Sequence, residues 1–474
     1  MAAGADKFSR LSALKPTRGM ATRSLPARPI SPHTIPTHAA GQREPCEEDT
    51  LGRLLGANVR RNRFGDYLAV SNWYASPEFA APSPVALEIL SSARDEVQSR
   101  RTREALGDPE KWLFLDTETT GLAGGTGTYA FLIGLAWWDA GGLQVEQFFM
   151  RDFGEEHSIL CELAARIAER PVLITYNGKT FDWPLLQSRF VMTRSIAAPK
   201  LTAHLDLLHP ARAVWKLRLG TVRLSDLERH VLDPVALGWS RDDDTTSADI
   251  PQFYFDYLRG GPPEPLLGIA RHNQMDLRGL AALYCKLNAL IGTELPEHGS
   301  VDGRDLFGLS RFLQRHGHSA RAQTACTQAL EFGLPHEVRP LARRELAQHA
   351  KRQGEHGRAA ELWHEIIAGE PGEGVHACEQ LAIYYERRAK DDARALEFAQ
   401  LALAELRKAR WLASRSPAGR FAGAFAGVSS YRAGSHASGG REARLEKSLL
   451  KRVARLERRI LSPSERPALL RMVE

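Results

Sequence analysis

Cysteines, long apolar runs and a triphosphate-binding loop are scarce or absent in this sequence, and each absence excludes a class of protein. The 5 cysteines are scattered over 474 residues and form no Cys-x-x-Cys pair, which excludes a zinc knuckle and a disulfide framework and favours a reducing compartment. No stretch approaches the roughly eighteen apolar residues of a membrane helix, and no signal peptide is predicted. The stretch Gly121 to Gly127 does not end in Gly-Lys-Ser/Thr, so it is not predicted to bind a nucleoside triphosphate.

The charge balance is only weakly informative. The chain has 63 Lys and Arg against 57 Asp and Glu, a net charge of +6. A basic excess fits an anionic partner such as nucleic acid, but here it is not confined to one place. With 43% hydrophobic residues, the chain can form two or three domains with apolar cores.

The N-terminal part of the chain divides into a tail and an extension. Residues 1–48 are rich in Pro, Arg, Ser, Thr and Ala, which predicts a disordered basic tail. The same composition is typical of an organellar transit peptide, and that alternative stays open. Residues 49–110 are predicted to be an extension that leans on the next domain, with helical stretches between Leu51 and Val97.

The most informative motif is Asp116-Thr117-Glu118, at the end of a short apolar run. The run Trp112 to Leu115 predicts a buried strand, and Thr119 to Leu122 predicts a turn. Because alternate residues of a strand point the same way, Asp116 and Glu118 are predicted to share one face. Two carboxylates this close repel each other, and a divalent cation between them relieves the repulsion.

A second acidic position follows another apolar strand, Val172 to Tyr176. Asn177 and Gly178 suit a tight turn, and Asp182 is predicted at the start of the next helix, where an acidic group also favours the helix dipole. Taken alone, Asp182 fits an N-cap better than a catalytic residue.

A third position lies in the segment Leu266 to Leu287, whose apolar spacing predicts a helix. His272 and Asp276 are four residues apart and therefore share one helical face. Taken alone, such a pair is usually a surface ion pair. Asn273, beside His272, is predicted to point elsewhere on the helix and is assigned no role.

Together the three segments supply four carboxylates, from Asp116, Glu118, Asp182 and Asp276. Oxygen ligands of this kind suit Mg²⁺ or Mn²⁺, which leave positions for phosphate and water. Two such ions can activate a water and stabilise the leaving oxygen in phosphodiester hydrolysis.

These motifs resemble those of the DEDD exonuclease superfamily. Asp116 to Leu122 looks like its first motif, as found in proofreading subunits of bacterial replicative polymerases, and Asn177 to Pro184 looks like its second, in the form of family B polymerases. Asp276 matches the last acid of the third motif. More narrowly, Gly124 to Ile133 and the helical C-terminus resemble the YprB-like, RNase H-like exonuclease family. The resemblance covers about residues 110 to 290 and implies an RNase H-like fold, two metal ions and cleavage from the 3′ end. Its similarity to bacterial proteins favours the cytoplasm.

The third motif departs from the superfamily pattern, which has Tyr four residues before the last Asp or His five residues before it. Here His272 stands at the Tyr spacing. We expect a neutral imidazole there to accept a proton from the attacking water, although orienting that water or simple packing stay open.

Several other polar and aromatic residues receive structural interpretations. Asp206 is predicted to cap the helix after its strand, and a supporting role at the site is the alternative. Lys179 is predicted to be solvated, with contact to a phosphate as the alternative. Phe181 and Trp183 are predicted to anchor the second motif in the core, with stacking on bases as the alternative. The run Asp242-Asp243-Asp244 is predicted to be a loop.

The fold predicted for residues 111–292 is an α/β, RNase H-like mixed sheet flanked by helices. Predicted strands are Leu113 to Leu115, Phe131 to Trp137, Val145 to Met150 and Val172 to Tyr176, with a helix near Ser158 to Ala168. The segment Leu224 to Leu232 is predicted to lie over the active-site side.

Residues 300–412 are predicted to be an all-α helical-repeat domain. Ala322, Ala359 and Ala395 recur at intervals of 37 and 36 residues, which resembles tetratricopeptide-type hairpins with a usual repeat of about 34 residues. An alanine-rich bundle would give a similar pattern. Either form suggests a platform for a protein partner.

The end of the chain is predicted to be a flexible linker, residues 413–440, and a basic helix within residues 441–474. That helix has a leucine stripe and a basic face. It either grips a phosphate backbone or packs on the preceding helices, and both interpretations stay open.

The leading hypothesis is a 3′-5′ exonuclease acting on DNA or RNA. Asp116, Glu118, Asp182 and Asp276 would hold two Mg²⁺ or Mn²⁺ ions, with His272 as base. One alternative is a catalytically decayed adaptor that binds nucleic acid or protein, and another is an RNase H-type endonuclease. No membrane partner is predicted.

Overall fold

The computed structural model describes residues 50–75, 82–91, 100–121, 127–235, 238–241, 248–292, 301–369, 374–415 and 438–461. Three predicted segments therefore lie outside the described residues, wholly or mostly: the tail 1–48, the acidic run Asp242 to Asp244, and the linker 413–440.

A mixed sheet of seven strands, in the order β1-β2-β5-β4-β3-β6-β7, forms the centre of the described structure. The pairs from β1 to β3 in this order are antiparallel, whereas β3 with β6 and β6 with β7 are parallel. The strands are β1 (Asn58–Asn62), β2 (Gly65–Ala75), β3 (Trp112–Thr119), β4 (Ala130–Asp139), β5 (Gly142–Phe149), β6 (Val172–Thr175) and β7 (Ala203–Asp206). Each strand predicted after residue 110 is present.

The central strand β3 is buried on both faces, which explains its continuous apolar run. Trp112 and Phe114 pack into the core on one face, together with the long helix that carries the third motif. Leu113 and Leu115 pack into a second core on the opposite face. The alternation continues to Asp116 and Glu118, so the two acids belong to the face of Phe114.

The prediction for the N-terminal extension was partly wrong, because β1 and β2 add two strands to the sheet. Tyr67 to Val70, in the first half of β2, are buried. The later residues of β2 alternate between exposed and half-buried. Asn62 pairs with Gly65 to close the β1–β2 hairpin, and β2 continues the sheet beside β5. The extension thus completes the sheet and does not merely lean on it.

Helices cover both faces of the sheet. They are α1 (Thr50–Leu55), α2 (Pro84–Leu90), α3 (Arg100–Gly107), α4 (Glu156–Glu169), α5 (Asp182–Thr193), α6 (Leu208–Leu219), α7 (Leu224–Leu227, extended by a π-helical turn Glu228–Leu232), α8 (Ile250–Leu258) and α9 (Glu264–Gly292). The 29-residue helix α9 packs against β3 and carries the third motif.

The rest of the described chain is helical. Its helices are α10 (Gly303–Arg315), α11 (Ser319–Glu331), α12 (Arg339–Gln353), α13 (His356–Gly369), α14 (Gly374–Tyr384, extended by a π-helical turn Tyr385–Ala389), α15 (Asp392–Arg415) and α16 (Ser438–Ile460). Helix α10 packs on α11, α12 on α13 and α14 on α15. The recurring Ala322, Ala359 and Ala395 are buried in the second helix of each pair. The predicted mixed sheet with flanking helices, followed by an all-α region, is confirmed.

Helix α10 joins the helical region to the sheet-containing part of the chain by packing on α6. Gly308 permits this contact, because a Cβ at that position would lie 2.3 Å from the carbonyl oxygen of Val214. Arg218 of α6 also forms a salt bridge of 2.9 Å with Asp305 of α10. The hydrophobic core on the Phe114 face of the sheet continues without interruption into the helical region.

The basic C-terminal helix α16 packs on the preceding helices. Its Leu449 and Leu456 are buried, and Arg452, Arg455 and Arg459 all form ion pairs with Glu386. Three of its basic residues therefore serve the packing of this helix. In the described part of the chain, none of the helices has the length and apolar character needed to cross a bilayer.

Candidate metal centre

The first two acids stand at the end of β3, on the face covered by α9. Asp116 lies opposite Gly134 of β4 and Glu118 lies opposite Leu132, and the register shifts directly after Glu118. The bulge ends the regular pairing at the point where the carboxylates project. Because β3 is central and its residues up to Leu115 are buried, the backbone that carries these two half-buried acids is held in place.

The second motif is held by Asp206, which is buried at the end of β7. Its carboxylate accepts hydrogen bonds from the backbone N–H groups of Asn177 at 2.8 Å, Lys179 at 3.1 Å and Leu208 at 3.1 Å. Asn177 has a φ of +67°, which such a tight turn requires. Asp206 therefore bonds the first residue of α6, although the N-cap position is Leu207, and it also holds the turn that leads to Asp182.

Asp182 is the first residue of α5, and its side chain contacts β3. The hydroxyl of Thr117 donates a hydrogen bond of 2.5 Å to Oδ1 of Asp182. This contact joins the second motif to the first, in contrast to a simple N-cap.

Helix α9 brings His272 and Asp276 to the same place. Nε2 of His272 lies 3.6 Å from Oδ2 of Asp276. One ligand atom from each of Glu118, His272 and Asp276 lies within 4.8 Å of the other two. Oδ1 of Asp276 also accepts a hydrogen bond from Arg241.

Asn273, which sequence reasoning left out, contacts the first motif directly. Its Nδ2 donates to Oδ2 of Asp116 at 2.9 Å. The side chain is fully buried, in line with Leu266, Ile269, Leu277 and Leu280 on one face of α9. A polar residue in an otherwise apolar stripe was the signal that could have identified it, since a buried amide needs partners.

Asn273 is the last of three amides joined by directional hydrogen bonds. Tyr74 donates to Gln274 at 2.9 Å, Gln274 donates to Gln147 at 3.1 Å, and Gln147 donates to Oδ1 of Asn273 at 2.8 Å. Each amide uses its oxygen as acceptor and its nitrogen as donor, so the orientation of Asn273 is fixed. This series of hydrogen bonds runs from Tyr74 on β2, by way of Gln147 on β5, to Asp116 on β3.

Gly134 on β4 makes room for this amide. A Cβ at that position would lie 2.0 Å from Oδ1 of Asn273. Any larger side chain would therefore displace Asn273 from Asp116.

Electrostatic interactions link Asp116 to the other three acids. Burial raises the pKa of Asp116 well above its usual range, and the neighbouring carboxylates of Asp276, Glu118 and Asp182 raise it further, while His272 opposes them. Such a cluster of oxygen donors and one imidazole fits a divalent cation, because a positive charge would relieve this repulsion.

The remaining predicted residues have other surroundings. Lys179 is exposed, as predicted. The interpretation of Phe181 as a core anchor was wrong, since it is 36% exposed at the start of α5. Trp183 packs partly buried against the core. The segment after Gly121 up to residue 126 lies outside the described residues.

Comparison with known proteins identifies the family of the chain. It is 30% identical over 295 residues to a protein of Bacillus subtilis (strain 168) named Uncharacterized protein YprB, and the matched region covers 62% of this chain and 69% of that protein. The chain belongs to the YprB family. In this YprB-family chain, residues 113–288 match the profile of the RNase H superfamily. The matched region contains the four acids, His272 and Asn273, whereas Tyr74 on β2 precedes it.

Proposed function

We propose that this protein is a metal-dependent exonuclease of the DEDD type that removes nucleotides from the 3′ end of DNA or RNA. The observation that carries the proposal is the convergence of acids from three separate segments. Glu118 of β3 and Asp276 of α9 have carboxylate oxygens within 4.8 Å of each other, and beyond the effect of burial they raise, together with Asp182 of α5, the pKa of Asp116. The RNase H superfamily match supports nucleic-acid hydrolysis as the broader class.

Each residue has a defined task in this proposal. Asp116, Glu118, Asp182 and Asp276 would hold two Mg²⁺ or Mn²⁺ ions, which supply charge stabilisation of the phosphate and a more acidic water. Asn273 donates to Oδ2 of Asp116 and Thr117 donates to Oδ1 of Asp182, so each of these two acids is anchored through one oxygen.

His272 is proposed to receive the proton of the attacking water. Its Nε2 lies 3.6 Å from Oδ2 of Asp276, and one of its ring nitrogens lies within 4.8 Å of a carboxylate oxygen of Glu118. It would therefore stand close to a water held by the ions.

The helical region is proposed to be a tetratricopeptide-like arm that binds a protein partner. Three consecutive helix pairs with buried alanines at regular intervals support this. We assign the nuclease domain to residues 111–292, with β1 and β2 completing its sheet, and the arm to residues 300–412.

A cleavage assay with end-labelled strands tests the nuclease. Purified full-length protein is incubated with 3′- and 5′-labelled single-stranded DNA and RNA in Mg²⁺, Mn²⁺ or EDTA. The proposal predicts metal-dependent loss from the 3′ end, absent in Asp116→Asn and retained in the control Asp66→Asn, whose carboxylate is on the surface and pairs with Arg61 at 3.1 Å. Internal cuts would indicate an endonuclease. No cleavage, with strand binding retained, would indicate an adaptor.

A further inference from the structure

A short strap, residues 238–241, contacts α9 near Asp276. Arg278 of α9 holds it, with its guanidinium 4.6 Å from the centre of the Trp239 ring and 4.2 Å from that of Tyr74. Nη2 of Arg278 also donates to the carbonyl oxygen of Gly238 at 3.4 Å. The strap is thus fixed on α9 within one turn of Asp276.

At the end of the strap, Arg241 lies between two carboxylates. Its Nε donates to Oε2 of Glu228, and its Nη2 donates to Oε1 of Glu228 at 2.8 Å. The same Nη2 donates to Oδ1 of Asp276. The guanidinium therefore binds Glu228 through two donors and Asp276 through one.

Glu228 holds the guanidinium of Arg241 in this position. Its side chain is 2% exposed and lies against α9, where a Cβ on Gly279 would be 2.0 Å from Oε1. A buried carboxylate without a counter-ion is strongly unfavourable. We therefore expect Arg241 to remain paired with Glu228 when Asp276 binds a metal ion.

The hydrogen bond from Arg241 to Asp276 is the one that Arg241 can exchange for a bond to a phosphate. When Asp276 holds a metal ion, the positive charge of that ion repels the guanidinium and weakens this contact. The Nη2 donor would then face a site that must also hold a phosphate of the nucleic acid. Guanidinium groups bind phosphate oxygens well, because their planar donors match them.

We propose that Arg241 is a phosphate-contacting residue of this site, which neutralises Asp276 in the metal-free protein and binds a phosphodiester of the nucleic acid once Asp276 is a ligand. This inference rests on the proposed function, and it assigns the strap a task in substrate binding.

The first arm of the test measures Mn²⁺ binding to full-length Arg241→Gln. Because the variant lacks a cation that competes for Asp276, it should bind Mn²⁺ as tightly as the wild type or more tightly. Arg229→Gln is the matched control, since Arg229 is an exposed neighbour of Glu228 and its loss changes the net charge equally. Weaker Mn²⁺ binding by Arg241→Gln alone would show that Arg241 only braces Asp276, and would overturn the proposal.

The second arm measures binding of a short labelled single strand in Ca²⁺ at fixed salt, with intact strand verified on a gel. Loss of one charge-assisted phosphate contact should weaken binding by Arg241→Gln about tenfold, and Arg241→Lys should lie between it and the wild type. The control Arg229→Gln should differ from the wild type by much less. Equal binding by Arg241→Gln and Arg229→Gln would overturn the proposal.

Because Arg241→Gln leaves Glu228 buried without its partner, the double variant Glu228→Gln/Arg241→Gln is measured in parallel. It removes both charges and should keep the fold, and it should show the same two effects. If the wild type itself bound neither Mn²⁺ nor nucleic acid, the proposed function would fail. If it bound both and the variants did not differ from it, only the role of Arg241 would fail.

Discussion

Asn273 donates its side-chain amide to Oδ2 of Asp116 at 2.9 Å, and so joins helix α9 to the acid at the end of β3. The bond is directional, because Gln147 occupies the other end of the same amide at 2.8 Å. Asp116 is therefore held in one orientation before any ligand arrives. Preorganisation of this kind is what a metal site needs from its supporting residues.

Replacing Asn273 with Ala should reduce activity about 10- to 100-fold, because supporting residues of metal sites typically contribute that much. The folded state should lose about 1 to 3 kcal/mol, since Gln147 is left with an unsatisfied donor. Steady-state cleavage rates and urea denaturation measure the two effects. Unchanged activity in a folded Asn273→Ala variant would contradict this role.

Gly134→Ala should act through the same amide, because the new Cβ would lie 2.0 Å from Oδ1 of Asn273. In a double-mutant cycle, Gly134→Ala should add little to Asn273→Ala, since the group with which it collides is already gone. Fully additive losses would show that Gly134 serves another purpose.

Asp116→Asn should raise the melting temperature of the metal-free protein at neutral pH. Folding raises the pKa of Asp116 above its usual 3.8 through burial and through Asp276, Glu118 and Asp182. The folded state therefore binds more protons than the unfolded chain above that pH, and stability falls as the pH rises through the folded pKa. Calorimetry in EDTA across this range should show the gap between variant and wild type widening with pH. The control Asp66→Asn should show no such gap, and a destabilised Asp116→Asn would contradict the account.

His204→Gln should make the protein less sensitive to acid. Burial lowers the pKa of His204 from 6.5 to about 4, and Lys179 contributes. The unfolded chain therefore binds more protons between these values, and the wild type loses stability as the pH falls from 6.5 towards 4. The loss due to this residue is on the order of 3 kcal/mol. Gln retains a group that can bond to the Thr175 hydroxyl, which lies 2.9 Å from Nε2. If denaturation midpoints of both proteins fell in parallel with pH, this assignment would be wrong.

Gly308→Ala should destabilise the whole chain, including the nuclease domain, by about 1 to 3 kcal/mol, because its Cβ would lie 2.3 Å from the carbonyl oxygen of Val214. Gly357→Ala is a matched control in another helix, where no atom lies within 4 Å of the added Cβ. That change should leave the stability unchanged or raise it slightly. Equal melting temperatures for the two variants would argue against a tight α6–α10 interface.

Much of the fold could be predicted because its signals are local. β6 is a continuous apolar run buried on both faces, and α9 shows clear helical spacing. The hairpin β1–β2 was missed because only Tyr67 to Val70 of β2 are buried, so its alternation is weak. Strand pairing with β5 decides its structure, and such pairing is not visible in a local pattern.

In the candidate site, too, some residues could be predicted from local sequence and others depend on tertiary contacts. Asp116, Glu118 and Asp276 stand out because acids follow or interrupt apolar segments, and the structure brings these predicted residues together. The contribution of Arg241 depends on residues 13 and 35 positions away. Asn273 was assigned no role because it points away from His272 on the helix. Its position in a stripe of buried residues was the better indication that it contacts the core.

The most direct test of the central claim is a Mn²⁺ titration of the full-length protein, followed by electron paramagnetic resonance. The account predicts that the wild type and Asp66→Asn bind two Mn²⁺ ions, and that Asp116→Asn loses or strongly weakens this binding while remaining folded. Identical Mn²⁺ binding by Asp116→Asn and the wild type would show that these acids do not form a metal centre.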